Sequence, residues 1–135
     1  MKLGAGLVLA AALALSACGD DSAKEAAGEA HEPSRYDALS ITYLCEGGVR
    51  VQAIYFNFED GNALAALSYD GTLAPMRIMP SGSGAKYTSL NEELGWRWHT
   101  KGDEASLSYM APDDTATEQP VLQSCTNILH TGGAG

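Results

Sequence analysis

Residues 63–79 read ALAALSYDGTLAPMRIM, two short apolar runs separated by Asp70-Gly71. An Asp-Gly pair between such runs is a strong signal for a two-residue hairpin turn, because both residue types tolerate the positive φ that this turn requires. The stretch therefore predicts two antiparallel strands, 63–69 and 72–79, and it sets an all-β fold as the expectation for the chain.

The same pattern continues on both sides of this hairpin. From Tyr36 onward, β-branched and aromatic residues form short runs that Gly, Asn, Asp and Pro interrupt. Glu59-Asp60-Gly61-Asn62 and Lys101-Gly102-Asp103 are further turn signals, so neighbouring strands should be antiparallel. The other predicted strands are 39–45, 49–58, 86–90, 94–100, 104–110 and 120–127. About eight short strands in about 100 residues are typical of a closed barrel or a sandwich. Closure removes exposed sheet edges, so we predict a small antiparallel β-barrel, with the sandwich as the alternative.

The N-terminal part differs in composition from this domain. Residues 1–17 contain Lys2, an apolar run and a small-residue ending, which is the layout of a secretory signal peptide. The apolar run is shorter than the roughly 20 residues that cross a bilayer as a helix, which disfavours a permanent span. Leu15-Ser16-Ala17-Cys18 resembles the lipobox of bacterial lipoproteins, and it predicts cleavage before Cys18 and lipidation of that residue. Residues 18–35 are then expected to form a polar, flexible tether to a β-barrel domain at 36–135.

Lipidation would place everything after Cys18 outside the cytoplasm. Several acyl chains on one residue attach a protein stably to a membrane. Gly19 does not resemble the aspartate that retains lipoproteins in the inner membrane, so the outer membrane, facing the periplasm, is the predicted location. In this oxidising compartment Cys45 and Cys125 remain, and they predict one disulfide. The bridge would close a loop of about 80 residues and stabilise the domain by about 4 kcal/mol.

Charge and metal-ligand content limit the classes of partner. Without Lys2 the chain has 7 basic and 17 acidic residues, a net charge of about −10. Such a surface repels nucleic acid and anionic lipid headgroups and attracts a cationic protein. His31, His99 and His130 are scattered, and no cysteine or histidine pair has metal-ligand spacing. The sequence therefore predicts no metal, no cofactor and no nucleic-acid partner.

An unusual loop, SGSGAKY at residues 81–87, raises the question of an enzymatic serine. Ser83-Gly84-Ala85-Lys86 matches S-x-x-K, but the companion motifs S-D-N and K-T-G are missing and glycine disfavours the helix that should carry the pair. The nucleophile elbow G-x-S-x-G fails because residue 81 is Ser and residue 85 is Ala. A phosphate loop would need Gly-Lys-Ser/Thr before a helix. No enzymatic activity is predicted.

A second notable stretch is WRWHTKGDEA at residues 96–105. Strand alternation puts Trp96 and Trp98 on one face and Arg97 and His99 on the other. On composition alone, the tryptophans fill the barrel interior and the polar residues of the turn are solvated.

The segments Tyr43–Glu46, Ser81–Tyr87 and Trp98–Ala105 and the late Cys125 occur here in the order seen in the MliC/PliC family. The chain resembles these inhibitors of C-type lysozyme from Tyr36 to about Asn127, and its lipoprotein signal is similar to that of the membrane-bound branch. The resemblance implies an eight-stranded antiparallel barrel with a disulfide between the two matching cysteines. It also implies an inhibitor that protects bacterial peptidoglycan.

The resemblance assigns roles to individual residues. It implies that Ser83 and Lys101 enter the active-site cleft of lysozyme. Tyr87 and His99 are predicted as rim contacts, with packing inside the barrel as the alternative for Tyr87. Residues 88–100 form a longer segment than the family pattern, with an extended hairpin tip that bears on the Ser83–Lys101 geometry.

The predicted partners are a C-type lysozyme and, through the lipid anchor, a membrane. A second copy of the chain, forming a homodimer, stays open as a further partner. The alternative function is that of an envelope lipoprotein that binds another polysaccharide or protein. The two functions differ in whether Ser83 and Lys101 lie together, pointing outward, at one end of the barrel.

Overall fold

Alternation of apolar and polar side chains generates the strands of this protein, whose computed structural model describes Gly4 and residues 35–134. Residues 35–134 contain eight strands and a 3-10 turn at Glu46–Gly48. The strands are β1 Tyr36–Leu44, β2 Arg50–Phe58, β3 Ala63–Tyr69, β4 Thr72–Met79, β5 Ala85–Ser89, β6 Trp96–Lys101, β7 Glu104–Tyr109 and β8 Gln119–Ala134. Apart from Gly4, the predicted signal peptide (1–17) lies outside the described residues, as do the lipidation at Cys18 and all but the last residue of the tether (18–35).

Every strand pairs antiparallel with its neighbours in the sequence, and β8 pairs with both β7 and β1 to close the barrel. The prediction of an all-β, antiparallel barrel is confirmed. All three predicted turn segments connect consecutive strands. At Asp70-Gly71 both residues have positive φ, 48° and 74°, as a two-residue hairpin between right-twisted strands requires.

The largest difference from the predicted strands is at β8, which continues to Ala134 instead of ending near residue 127. Its first half pairs with β7 as far as Thr126, and its second half pairs with β1 from Thr126 onward. Strands of a closed barrel tilt against the axis, so a strand at the closure contacts its two neighbours at different heights. The second half of β8 contains glycines and exposed residues, so its sequence lacks the alternation that predicts a strand.

Aromatic residues and small residues together fill the barrel interior. Trp98, Tyr43 and Leu67 are fully buried, and Trp96 is also buried, as the alternation in β6 predicts. Several interior positions hold alanine, which leaves room for the rings: Ala53, Ala63, Ala65, Ala74 and Ala105. The interior is a packed core, and the outer surface is therefore where another molecule can bind.

A short polar network crosses this core. Trp98 Nε1 donates a hydrogen bond to the Tyr55 hydroxyl over 2.7 Å, and the Tyr43 and Tyr55 hydroxyls are hydrogen-bonded at 3.0 Å. Burial raises the pKa of Tyr43, Tyr55 and Tyr87 above the ordinary value of 10.0 for tyrosine. The network satisfies polar groups that would otherwise be costly to bury.

Cys45 and Cys125 form the predicted disulfide, and both are buried. Cys45 directly follows β1, and Cys125 lies in β8 opposite Ala105 of β7. The bridge closes a sequence separation of 80 residues, which restricts the unfolded chain by about 4 kcal/mol. It therefore reinforces the closure of the barrel where β8 passes from one neighbour to the other.

Replacing Tyr55 by Phe should destabilise the fold by about 1–3 kcal/mol, because Trp98 Nε1 and the Tyr43 hydroxyl would lose their buried partner. The free energy of unfolding from urea denaturation measures the effect. The matched control is Tyr109→Phe at a partly exposed position, with an expected change within about 0.5 kcal/mol. Equal stability of the two variants would contradict a structural role for the network.

The raised tyrosine pKa values predict a loss of stability at alkaline pH. The folded state favours the neutral phenol, so the stabilisation is fully present below the ordinary value of 10.0 and is lost as pH rises above it. The free energy of unfolding should fall by up to about 1.4 kcal/mol per pH unit for each tyrosine. Urea denaturation at about pH 8 and about pH 11 tests this, and Tyr87→Phe should make the decline shallower. An unchanged free energy between the two conditions would refute it.

Candidate functional site

Ser83 and Lys101 lie at the same end of the barrel. In an antiparallel meander every second connection opens at the same end, so residues 59–62, 80–84 and 102–103 share one end, here called the serine–lysine end. Strands β5 and β6 are direct neighbours with Ala85 opposite Thr100. The residue pair just beyond this register is Gly84 and Lys101, so the serine loop and the lysine turn lie side by side.

Gly84 allows the two segments to approach this closely. Its φ is +65°, and a Cβ atom at this position would lie 2.2 Å from the Thr100 carbonyl oxygen and 3.3 Å from Lys101 Cβ. Any other residue would therefore push the serine loop away from β6. A single glycine thus sets the spacing between Ser83 and Lys101.

The backbone of Ser83 is held from two sides while its side chain faces solvent. The Ser81 hydroxyl donates to the Ser83 carbonyl oxygen at 2.7 Å, and His99 Nε2 lies 3.0 Å from the same oxygen. A carbonyl oxygen only accepts, so His99 must carry its proton on Nε2 to make this bond. Ser83 itself is exposed. The loop therefore presents the Ser83 hydroxyl on a fixed backbone.

Lys101 ends β6 and is exposed beside the serine loop. The turn that follows is fixed by Gly102, with φ +59°, and by a hydrogen bond from the Asn127 amide to the Asp103 carbonyl oxygen at 2.8 Å. Within residues 35–134 the ion pair closer than 4.0 Å is Lys86–Glu118, and it does not involve Lys101. The Lys101 ammonium is thus a positive charge directed to solvent from a rigid turn.

The two predicted rim residues occupy different environments. Tyr87 is 3 % exposed, and its ring packs against Tyr55 at a centroid distance of 5.5 Å. Its placement as a rim contact is wrong, because inward alternation in β5 directs the ring into the core. His99 points outward from β6 and is half-buried against the serine loop. It contacts the Ser83 carbonyl oxygen, and its contact with lysozyme stays a prediction.

The long segment between Thr88 and Thr100 does not disturb this geometry. Its tip, residues 90–95, connects β5 to β6 at the end opposite the serine–lysine end. The pairing of β5 with β6 runs without a register shift from Ala85–Thr100 to Thr88–Arg97. Extra length at the tip is therefore absorbed far from Ser83 and Lys101.

A groove of about 340 Å³ beside Lys101 adds residues that sequence analysis missed. Ser106 of β7 and Ser124 and Thr126 of β8 line it together with His99 and Lys101. Ser124 has an unusual φ of 54°, at the irregular part of the β7–β8 pairing. Strand alternation indicates that Ser106 faces outward, but only the register of β8 shows which residues lie next to it.

The geometry around Ser83 does not resemble a catalytic centre. His99 is close in space, yet its ring nitrogen is bonded to the backbone carbonyl of Ser83 and not to the hydroxyl. A serine nucleophile requires a base bonded to its hydroxyl. Within residues 35–134 there is also no group of three or more His, Cys, Asp or Glu residues that could hold a metal ion. None of the described helices is long and apolar enough to span a bilayer.

Comparison with known proteins assigns the chain to a family. The sequence model of the family described as membrane-bound lysozyme-inhibitor of c-type lysozyme matches residues 43–116. The chain belongs to this family. The matched residues include both the serine loop and the lysine turn.

The structure resembles PliC-St, the periplasmic lysozyme inhibitor of C-type lysozyme from Salmonella typhimurium. The two are 34 % identical with a TM-score of 0.55, and the alignment covers 67 % of this chain and 97 % of the Salmonella protein. No curated protein matches the sequence significantly. The lysozyme-inhibitor barrel is therefore present nearly in full.

Replacing Gly84 by Ala should displace the serine loop and destabilise the protein by about 1–3 kcal/mol, because the new Cβ would collide with the Thr100 carbonyl at an unfavourable φ. Urea denaturation gives the free energy, and amide chemical shifts of Ser83 and Lys101 report the displacement. Gly82→Ala is the matched control, since its Cβ would meet no atom within 4 Å. Identical behaviour of the two variants would show that the close approach is unimportant.

Proposed function

We propose that this protein inhibits C-type lysozyme by inserting the Ser83 loop and the Lys101 turn into the active-site cleft. The observation that carries the proposal is that two exposed residues, Ser83 and Lys101, lie on neighbouring segments at one end of the barrel, in a chain of the lysozyme-inhibitor family. A general binder of this fold would not require this pairing. The role of the protein would be to protect bacterial peptidoglycan.

The chemistry of the lysozyme cleft explains why a serine is suitable. A retaining glycosidase of this kind uses one protonated carboxyl group as the acid and one ionised carboxylate as nucleophile or stabiliser. A hydroxyl group can accept a hydrogen bond from the first and donate one to the second. The fixed backbone of Ser83 reduces the entropy lost when its hydroxyl engages both groups.

Lys101 would add a positive charge next to these acidic groups. A charge pair at about 4 Å contributes roughly 4 kcal/mol at an effective dielectric constant near 20, before the cost of desolvation is subtracted. The net contribution is smaller, but a charge on a rigid turn also selects one binding register. Lys101 is therefore expected to contribute both affinity and orientation.

The acidic body of the protein acts at longer range. The full sequence has a formal net charge of −9, and a C-type lysozyme is expected to be cationic. Opposite net charges accelerate encounter and make the association rate sensitive to salt. Local positive charge at Lys101 and global negative charge thus serve different steps of binding.

His99 would contribute through the serine loop. Its bond to the Ser83 carbonyl oxygen supports the loop from the β6 side. A substitution that keeps an N–H donor, such as His99→Gln, should preserve more inhibition than His99→Ala. Tyr87 has no part in the proposed interface, because it is buried.

We also place the protein in the bacterial envelope, since the matched family is membrane-bound and the similar Salmonella protein is periplasmic. In this proposal Cys18 carries the lipid, residues 18–35 form the tether, and residues 36–135 form the inhibitor domain that faces the periplasm from the outer membrane. Homodimer formation is compatible with this arrangement and is measured by sedimentation of the purified chain. It is not required for inhibition.

The decisive test measures lysis of a cell-wall suspension by a C-type lysozyme, with and without the oxidised chain from Gly19, which lacks the predicted signal peptide and lipidation site. The Ser83→Ala plus Lys101→Ala variant should inhibit at least about a hundredfold more weakly, because removing two central polar contacts costs about 3 kcal/mol or more. Circular dichroism checks that this variant is folded.

The matched control is Ser40→Ala plus Arg50→Ala, which changes the same kinds of residue away from the serine–lysine end. This control should inhibit like the parent. A folded parent that gives no protection at micromolar excess would reject lysozyme inhibition and favour an envelope protein with another polysaccharide or protein target. If both double variants lose the same amount of inhibition, the assignment of Ser83 and Lys101 as the binding site is rejected, but lysozyme inhibition by the protein is not.

A further inference from the structure

Positive charge is concentrated on one part of this acidic protein. The chain has 17 acidic and 8 basic residues, yet strands β4, β5 and β6 together contain four basic residues and no acidic one. The four are Arg77, Lys86, Arg97 and Lys101. Lys101 belongs to the serine–lysine end, so the other three form a separate basic face on the barrel wall.

Two arginines on this face lie in one row across the sheet. Arg77 pairs with Thr88, and Thr88 pairs with Arg97. With strands about 4.8 Å apart, the Cα atoms of the two arginines are about 10 Å from each other. The Arg97 guanidinium donates to the Thr88 hydroxyl and, over 3.4 Å, to the Trp96 carbonyl oxygen. Arg97 is thus held in place along the wall.

The third basic residue of the face forms an ion pair, whereas the two arginines do not. Lys86 Nζ contacts Glu118 Oε1 at 2.8 Å, and this hydrogen bond lowers the pKa of the Glu118 carboxyl group. Among the described residues, neither Arg77 nor Arg97 has a carboxylate within 4.0 Å. The two guanidinium groups are on strands separated by β5, with Thr88 between them, so one anion can contact both.

A groove of about 560 Å³ opens over this row, a volume typical of small-molecule sites. Arg77, Thr88 and Arg97 contribute to its lining from the strands. Two connecting loops add three carboxylates, those of Glu92, Asp113 and Asp114. Apolar side chains also line it: Met79, Pro80, Leu90 and Met110. The groove therefore combines a basic part, an acidic part and apolar surface.

We propose that this groove binds the phosphoethanolamine headgroup of a phospholipid, with the phosphate between Arg77 and Arg97 and the ammonium group at the loop carboxylates. Guanidinium groups bind phosphate through paired hydrogen bonds, and the Thr88 hydroxyl, which accepts from Arg97, still has its own proton to donate. The carboxylates disfavour a free phosphate dianion and favour a ligand that also carries a positive charge. Exposed Leu90 and the neighbouring methionines suit the start of an acyl chain.

The lining of this groove includes neither Ser83 nor Lys101, and Pro80 is its one residue from the 80–84 connection. Its acidic loops, 90–95 and 110–118, are at the end of the barrel opposite the serine–lysine end. Headgroup binding would hold the barrel wall against a membrane while that end stays accessible. The proposal does not depend on lysozyme inhibition, and either one can fail alone.

The test uses the full chain in a non-ionic maltoside detergent and the soluble probe glycerophosphoethanolamine. Calorimetric titration should give a dissociation constant on the order of 1 mM, as expected for a small ligand held by two groups of charges. Arg77→Gln plus Arg97→Gln should weaken binding at least about tenfold. Arg77→Gln alone tests the site without disturbing the contacts of Arg97. Arg50→Gln, on β2 outside the groove, is the matched control and should bind like the parent.

Further probes separate the headgroup from simpler ligands. Glycerophosphocholine, whose methylated nitrogen cannot donate hydrogen bonds to carboxylates, should bind more weakly than glycerophosphoethanolamine, and Asp113→Asn plus Glu92→Gln should remove this preference. If inorganic phosphate binds as tightly as glycerophosphoethanolamine, the headgroup assignment is overturned in favour of a simple anion site. The free amino acid alanine is a further probe. If it binds more tightly than glycerophosphoethanolamine, the headgroup assignment is overturned in favour of an amino-acid or peptide ligand. The site itself is overturned if glycerophosphoethanolamine up to about 20 mM gives no heat of binding and no change in the amide chemical shift of Thr88.

Discussion

The closure of the barrel by β8 is the constraint on which the rest of the structure depends. This strand pairs with β7 along its first half and with β1 along its second half, and Cys125 links it to Cys45 at the point where it changes neighbour. Closure leaves each of the shorter strands hydrogen-bonded on both sides, which an open sheet of this size could not achieve. It also encloses a core in which Trp98 and Tyr55 satisfy each other's polar groups.

The closed barrel holds two short, solvent-exposed segments, the serine loop and the lysine turn, in fixed positions. The serine loop and the lysine turn are each only a few residues long, and each is anchored at both ends in paired strands. The register between β5 and β6 and the absence of a side chain at Gly84 place them in contact. Preorganisation of this kind lowers the entropy cost of binding, which is where a small rigid inhibitor gains affinity.

Positive and negative charges are unevenly distributed over the barrel. The protein is acidic overall, and four of the six basic residues in the range 35–134 lie on β4 to β6. Because strand alternation directs every second residue outward, Arg77 and Arg97 share a face with Thr88 between them. The same three strands thus carry both the lysine that we assign to lysozyme and the arginines that we assign to a lipid headgroup.

The amino-acid sequence by itself was sufficient for the all-β class, for most strand positions and for the disulfide, because alternation, Asp-Gly turns and two cysteines in an oxidising compartment are local or countable signals. The order of motifs was sufficient for the family. The sequence did not decide the side of Tyr87, the full length of β8, the support of Ser83 by His99 or the row formed by Arg77 and Arg97. These features depend on the register and tilt of strands that are distant along the chain, and only barrel closure determines both.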